Sequence, residues 1–325
     1  MGLFDDIGGV FLFKSAESKL TETFEGMVPV KVIRKMANEY IQGSISLLNY
    51  LPFVAALGLN KHVNELRRLQ NGLLKIIKKE YQKRYKNTEL DDQCVLDIMI
   101  RTNKESEKET GKQKFTMEEI LSIFELFQFA ASDTSYQFSS STICLLALDE
   151  NKKYQQRLAE EVQEAFGANP DYSSDELNSL KMLDLVFKET GRVNNPLSIL
   201  TERLVTKNNF DLCGVKLNKG DRIEQILINY QPEYYKDPYK FNPDRHDVDS
   251  AEHNKVPHLR RTTFSHGRRA CIGKYLGEMM VKLVVGEFLK ELEVSVESGY
   301  KMKFALEPIY GVKNTDLVVK IRGSQ

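Results

Sequence analysis

The sequence predicts a mainly α protein that carries small β-sheets. Apolar residues recur at helical spacing through long stretches near residues 61–86, 116–148, 152–166 and 180–192. A further helix is expected from Gly273 onward, through Lys-Tyr-Leu-Gly-Glu-Met-Met-Val. Only short runs read as strands. These are Leu197–Glu224, punctuated by Gly214 and Gly220, and then Val294, Val296, Phe304 and Leu317–Ile321.

The first sixty residues are mixed. Gly8-Gly9 marks a turn, and Phe11–Tyr40 alternates charged and apolar positions weakly. Ile45–Leu59 is apolar but interrupted by Asn49, Pro52 and Gly58. It reads either as a buried helix and loop or as a pocket cover or membrane-touching loop. In 61–86, Leu66, Leu69, Leu73, Ile76 and Ile77 share one face, and Arg68, Lys75, Lys78, Lys79, Arg84 and Lys86 the other. Such a basic face either touches anionic lipid or, more commonly, is simply solvated. Cys94–Ile100 is expected as a short apolar helix and the charged Thr102–Lys114 as an exposed loop.

Thr116 then offers an N-cap, with Glu119 completing a capping box and Phe115 and Ile120 a hydrophobic staple. Ile123, Phe127, Ala131, Phe138, Thr142 and Leu145 carry the helical spacing on to about Leu148. Ser132-Asp133-Thr134-Ser135 interrupts this apolar helix with groups that compete for its backbone hydrogen bonds. Lys152–Phe166 follows, with Tyr154, Leu158 and Val162 on one face, and ends at Gly167-Ala-Asn-Pro170. Leu180–Arg192 turns Leu180, Leu183, Val186 and Phe187 inward.

Bulk properties exclude several classes. At 325 residues the chain suits one large domain or two ordinary ones, and 28% charged residues beside 41% hydrophobic ones describe a globular protein. Lys+Arg and Asp+Glu both number 46, so net charge argues for no nucleic-acid partner. Cys94, Cys144, Cys213 and Cys271 are widely spaced without a CxxC, which suggests neither a zinc cluster nor a disulfide framework and fits a reducing compartment. The opening Met-Gly-Leu-Phe-Asp-Asp lacks the features of a secretory signal, and Asp6 breaks the myristoylation pattern. No window has the uninterrupted apolar length of a membrane span.

One ten-residue stretch concentrates the chemistry: Phe264-Ser-His-Gly-Arg-Arg-Ala-Cys-Ile-Gly273. Gly267 and Gly273 permit backbone geometry that a side chain would block. Arg268, Arg269 and the N-terminus of the following helix surround Cys271 with positive potential, which favours a thiolate. Such a sulfur is a nucleophile or a metal ligand; the plain alternative is a buried cysteine at a loop–helix junction.

The stretch resembles the haem-binding loop of eukaryotic-type cytochromes P450, Phe-x-x-Gly-x-Arg-x-Cys-x-Gly, at Phe264, Gly267, Arg269, Cys271 and Gly273. Ala130-Ala131-Ser132-Asp133-Thr134-Ser135 resembles the central-helix motif of that family, with Ala131 where the family has glycine. Glu189-Thr-Gly-Arg192 resembles its Glu-x-x-Arg motif, with Gly191 where a larger residue is usual. Gly214–Gly220 resembles a family hairpin, with Asn218 replacing proline. Phe241-Asn-Pro-Asp-Arg245 matches the segment before the haem loop, with His246 where an aromatic is usual.

The resemblance implies the cytochrome P450 fold and haem b with Cys271 as its axial thiolate. It implies that Phe264 packs near the sulfur, that Arg269 and Arg203 pair with haem propionates, and that Gly267, Gly273 and Ala131 shape the surroundings of the ring. Asp133 and Thr134 would deliver protons through water. Glu189, Arg192 and Arg245 would form a structural network. Ile199, Leu200 and Ile309, with Leu306 and Pro308 nearby, would line the substrate pocket. The implied activity is insertion of one oxygen atom of O2 into a small apolar organic substrate. Electrons would come from NADPH–cytochrome P450 reductase, with cytochrome b5 as a possible second donor.

The resemblance is firm from about Phe115 to Ile321 and looser before that. The family has an N-terminal section on the order of 150 residues or more that does not precede Met1 here. The expectation is therefore a single, N-terminally truncated P450 domain over 1–325, with 1–114 before the central helix and 115–325 running from it to the C-terminus. The full-length form is expected at the endoplasmic reticulum membrane, on its cytoplasmic face. Two other readings compete: a P450-like isomerase or dehydratase that uses no reductase, and a truncated, non-catalytic haem-binding remnant.

Overall fold

The computed structural model describes residues 25–26, 32, 35–36, 39, 60–86, 90, 94–167, 173–197, 199–226, 230–251, 253, 263–306 and 310–323. Gly8-Gly9, most of Phe11–Tyr40, Ile45–Leu59, Pro308 and Ile309 lie outside the described residues. The chain forms two compact units, Met1–Asp133 and Thr134–Gln325.

In the first unit, α1 (Lys61–Tyr85) starts at Asn60, whose side chain accepts from the N–H groups of His62 and Val63. Its inward face, Leu69, Leu73, Ile77 and Tyr81, packs with Leu96, Met99 and Ile100 of α2 (Val95–Thr110) and with Ile120, Leu121 and Phe124. Helix α2 corrects the sequence expectation, because Thr102–Thr110 is helical rather than an exposed loop. The segment Thr-Asn-Lys-Glu-Ser-Glu-Lys-Glu-Thr is rich in helix formers, and nothing stops it before Gly111, which adopts φ +70°. Asn103 on this added turn is buried and donates to Tyr81 Oη at 3.1 Å and to the Phe115 carbonyl at 3.0 Å. The Phe115 N–H returns a bond to Asn103 Oδ1 at 2.8 Å, which sets the entry into the next helix.

Helix α3 (Met117–Ala147) opens on the expected capping box: Glu119 N–H donates to Thr116 Oγ1, and Thr116 N–H to Glu119 Oε2. Phe115 and Ile120 join the same cluster, as the staple requires. The two units divide within this helix. Its C-terminal carbonyls are taken by side chains, with Asn151 Nδ2 donating to Leu145 and Gln155 Nε2 to Leu146, both at 2.8 Å.

The second unit buries Phe138, Leu145 and Leu146 of α3 among α4 (Lys152–Phe166), α5 (Ser174–Ser179), α6 (Lys181–Val193) and α7 (Lys274–Glu291). Helix α5 was not expected from the sequence, although Ser173-x-x-Glu176 forms a reciprocal capping box at its start.

The same unit carries small antiparallel pairs: β1 (Ile199–Leu204) with β4 (Arg222–Ile226), β2 (Phe210–Leu212) with β3 (Val215–Leu217), β5 (Leu292–Ser295) with β8 (Val318–Ile321), and β6 (Phe304–Leu306) with β7 (Tyr310–Val312). The β2–β3 turn has positive φ at both Cys213 (+52°) and Gly214 (+86°), the type I′ geometry that matches strand twist. Gln155 also donates to the Val294 carbonyl at 2.9 Å and accepts from its N–H at 3.0 Å, so α4 holds β5 by its backbone. Among the described residues no helix is long and apolar enough to cross a membrane.

Candidate functional site

The cysteine loop is built as a tight return. The Cys271 N–H donates to the Phe264 carbonyl at 2.9 Å and closes the segment between them. Ser265 (φ +60°) and Gly267 (φ +73°) supply two left-handed residues; the position at 267 suits glycine, and the one at 265 is strained for serine. A short 3₁₀ turn covers Gly267–Arg269, and α7 begins at once after Gly273, which has no side chain to cap the first N–H groups. A Cβ on Gly273 would lie 3.9 Å from Cys271 Sγ, so the sulfur sits at the positive end of α7.

The four cysteines differ sharply in setting. Cys94 and Cys144 are buried, and burial pushes the Cys144 thiol up to about 11. Cys213 tips the β2–β3 hairpin, and Cys271 is exposed in its loop. Arg268 and Arg269 are exposed beside it, and among the described residues neither has a carboxylate partner. Ile272 and Tyr275 stand 86% and 83% exposed, which makes the surroundings of the sulfur both basic and apolar.

A buried ionic network joins α6 to the segment 236–246. Arg192 grips the Glu189 carboxylate through Nε and Nη2, each at 2.8 Å, and Arg245 Nε adds a third bond at 3.1 Å. The structure thus brings together the three residues expected from the sequence. It adds two that sequence reasoning missed: His246 Nε2 lies 2.8 Å from Glu189 Oε2, and Asn242 N–H donates to Oε1 at 2.7 Å. In the sequence His246 stands out only as a departure from an aromatic, and its placement directly after Arg245 is the available signal. The guanidiniums spend their other donors on the carbonyls of Lys236, Pro238 and Lys240. Tyr235 lies against both, with Arg192 Cζ 5.0 Å from its ring centre. Burial opposes ionisation of Glu189, yet the hydrogen bonds from Arg192 and His246 hold its carboxyl down at about 2.

The turn after α6 distributes contacts to other elements. Asn194 Nδ2 donates to Ser141 Oγ on α3, Asn195 Nδ2 to the Thr263 carbonyl at 3.2 Å, and Tyr310 N–H to the Pro196 carbonyl at 3.1 Å. Stacked rings run in parallel with these bonds: Phe138 on Phe187 at 4.7 Å, and Phe187 on Phe264 at 6.1 Å. Thr134, half-buried, precedes Phe138 by one turn of α3. Asp133 is buried and Ala131 half-buried on the same helix, within the first unit. Arg203 is exposed on β1, where Ile199 and Leu200 pair by backbone with Ile226 and Gln225. Gly311 makes room for Gln137 of α3, since a Cβ there would meet Gln137 Oε1 at 1.9 Å. That fit, like the one between Gly191 and Thr263, joins residues too distant in sequence to be read from it.

The cytochrome P450 family model matches residues 7–319. The chain belongs to the cytochrome P450 family. This P450 chain is 29% identical over 231 residues to the sterol 14alpha-demethylase of Mycobacterium tuberculosis, an alignment covering 69% of the chain and 49% of that protein. It is 26% identical over 325 residues to the demethylepipodophyllotoxin synthase of Sinopodophyllum hexandrum, covering 96% and 60%. The chain spans about half the length of the curated relatives it matches first. The crystal structure of the cytochrome P450DA heme domain superposes with a TM-score of 0.78 at 15% identity, over 98% of this chain and 68% of that one. The P450 fold, mainly α with small antiparallel sheets, is thereby shared.

The residues fit the haem that membership implies. The loop offers one exposed cysteine whose soft sulfur would hold the iron, at a helix N-terminus whose N–H groups favour negative charge. Arg269 is exposed, with no carboxylate partner among the described residues, so its guanidinium would suit a carboxylate such as a propionate. The bared Ile272 and Tyr275 supply apolar surface, and glycine at 273 and 277 keeps side chains away from the sulfur and from Phe264.

Proposed function

We propose that this chain is part of a haem-thiolate monooxygenase that oxidises a small apolar organic substrate. The observation that carries this reading is the exposed Cys271, held at the start of α7 in a loop whose two exposed arginines have no carboxylate partner among the described residues. When bound, haem b would supply O2 activation and insertion of one oxygen atom into a C–H bond. Cys271 would be its axial ligand, Arg269 and Arg203 would hold its propionates, and Gly267, Gly273 and Ala131 would leave space around the ring. Asp133 and Thr134 would relay protons on α3. The network of Glu189, Arg192 and Arg245 would keep the loop's support rigid. Ile199, Leu200 and Ile309 would contact substrate. NADPH–cytochrome P450 reductase, with cytochrome b5, would supply electrons. We assign 1–325 to a single P450 domain and its place of work to the cytoplasmic face of the endoplasmic reticulum membrane.

Ferrous–CO spectroscopy of the haem-reconstituted chain tests the reading. The red-shifted band of thiolate ligation is expected in the wild type and absent in Cys271→Ala. Persistence of the band in the alanine variant excludes Cys271 as the ligand. Substrate oxidation should require NADPH and reductase; turnover without either would point to isomerase or dehydratase chemistry. Thr134→Ala should keep the band but divert reducing equivalents to peroxide.

A further inference from the structure

The end of α6 is keyed to the first residues of the cysteine loop. Gly191 lies so close to Thr263 that a Cβ at 191 would sit 2.5 Å from Thr263 Oγ1, 3.0 Å from Cγ2 and 3.3 Å from Cβ. Threonine branches at Cβ, so one rotamer change cannot clear both groups, and a methyl at 191 would have to displace backbone. Glycine is also a poor helix former, so its place inside α6 is explained by this close approach. A second contact is independent of the first. Buried Asn195 donates through Nδ2 to the Thr263 carbonyl at 3.2 Å, while its Oδ1 accepts from Leu197 N–H at 2.9 Å.

Thr263 is one residue before Phe264. The Phe264 ring stacks on Phe187, one turn before Gly191 on α6, and the Phe264 carbonyl accepts the Cys271 N–H at 2.9 Å. The position of the Cys271 backbone is therefore set through Phe264 by where Thr263 seats on α6. We propose that Gly191, Thr263 and Asn195 are positioning residues for the cysteine ligand: a glycine slot, the side chain that fills it and a carbonyl clamp. The seat itself is a property of the chain. Only its effect on ligation rests on the haem-thiolate reading.

The test compares the full chain with Gly191→Ala, the exchange pair Gly191→Ala/Thr263→Ala, and Thr263→Val, which keeps the shape and loses the hydroxyl. Without haem, amide hydrogen exchange is followed in the peptide covering 263–273. After reconstitution, the fraction of ferrous–CO complex in the red-shifted band is measured. Gly191→Ala should speed exchange at the Cys271 amide on the order of tenfold and shrink the red-shifted fraction. Thr263→Ala in the same chain should restore most of both, and Thr263→Val should match the wild type. Should Gly191→Ala unfold, the exchange pair still decides: a folded chain with wild-type exchange supports the seat. Wild-type behaviour of Gly191→Ala, or an exchange pair no better than it, overturns the proposal. A wild type that shows the expected exchange pattern but no red-shifted band supports the seat and sinks the haem-thiolate reading instead.

Discussion

The Glu189 network and the Cys271 loop are neighbours built on opposite rules. Around Glu189 every strong charge is buried and answered: one carboxylate takes bonds from two guanidiniums, an imidazole and a backbone N–H, and the spare guanidinium donors end on carbonyls. Around Cys271 the charges and apolar side chains are exposed, and the two arginines have no acidic partner among the described residues. A saturated site does structural work, because any lost partner leaves an uncompensated charge in a dry place. An unsaturated site beside it is available to a ligand and contributes little to folding. The difference predicts that mutations divide cleanly into those that unfold and those that only disable.

The largest effect should come from Glu189→Gln, which leaves two buried guanidiniums facing a neutral amide. Breaking such a network costs about 3–5 kcal/mol. A denaturant midpoint within experimental error of the wild type would overturn the structural assignment. Acid should act on the same group. Because folding lowers the Glu189 carboxyl from 4.5 to about 2, its stabilisation is fully present above pH 4.5 and is lost as pH falls through about 2. Acid unfolding should carry that component, and Glu189→Gln should remove it.

A smaller loss, about 1.5–3 kcal/mol, is expected for His246→Phe, which restores the aromatic usual in the family but deletes a bond to a charged oxygen. If phenylalanine stabilises the chain instead, the imidazole is not part of the network in solution. At the other extreme, Cys271→Ala and Arg269→Ala should move the midpoint by less than about 0.5 kcal/mol. Cys271→Ala should nevertheless abolish the red-shifted ferrous–CO band, and Arg269→Ala should weaken haem retention. A stability loss comparable to that of Glu189→Gln would erase the distinction between the two regions.

The same contrast explains what was legible in the sequence. The cysteine loop is local: its glycines, arginine and cysteine lie within ten residues, so the stretch stands out in the sequence, and its resemblance to the P450 haem-binding loop is what suggests its role. Helices α3, α4, α6 and α7 were legible because caps and apolar periodicity are local as well. Helix α2 is longer than its charge pattern suggests, because Gly111 is what ends it and buried Asn103 fastens its added turn. Residues that answer one another across the chain stayed hidden. Glu189 and His246 stand 57 positions apart, and nothing near either residue announces the other. Gly191 read merely as a departure from a pattern until Thr263 was seen against it.

Gln155 has one more consequence. Its amide carries two N–H donors and an acceptor: one N–H goes to the Leu146 carbonyl, and the other N–H and the oxygen go to Val294, the pair that a peptide unit presents. It therefore acts as a single residue of a third strand, supplied by a helix. The two-stranded β5–β8 ribbon gains a closed inner margin at Val294, where a bare margin would invite pairing with another chain. A glutamate there would keep the acceptor, lose both donors and bring a charge into a dry position. The side chain that looks most like an ordinary polar helix residue is the one that lets so small a sheet end against the core.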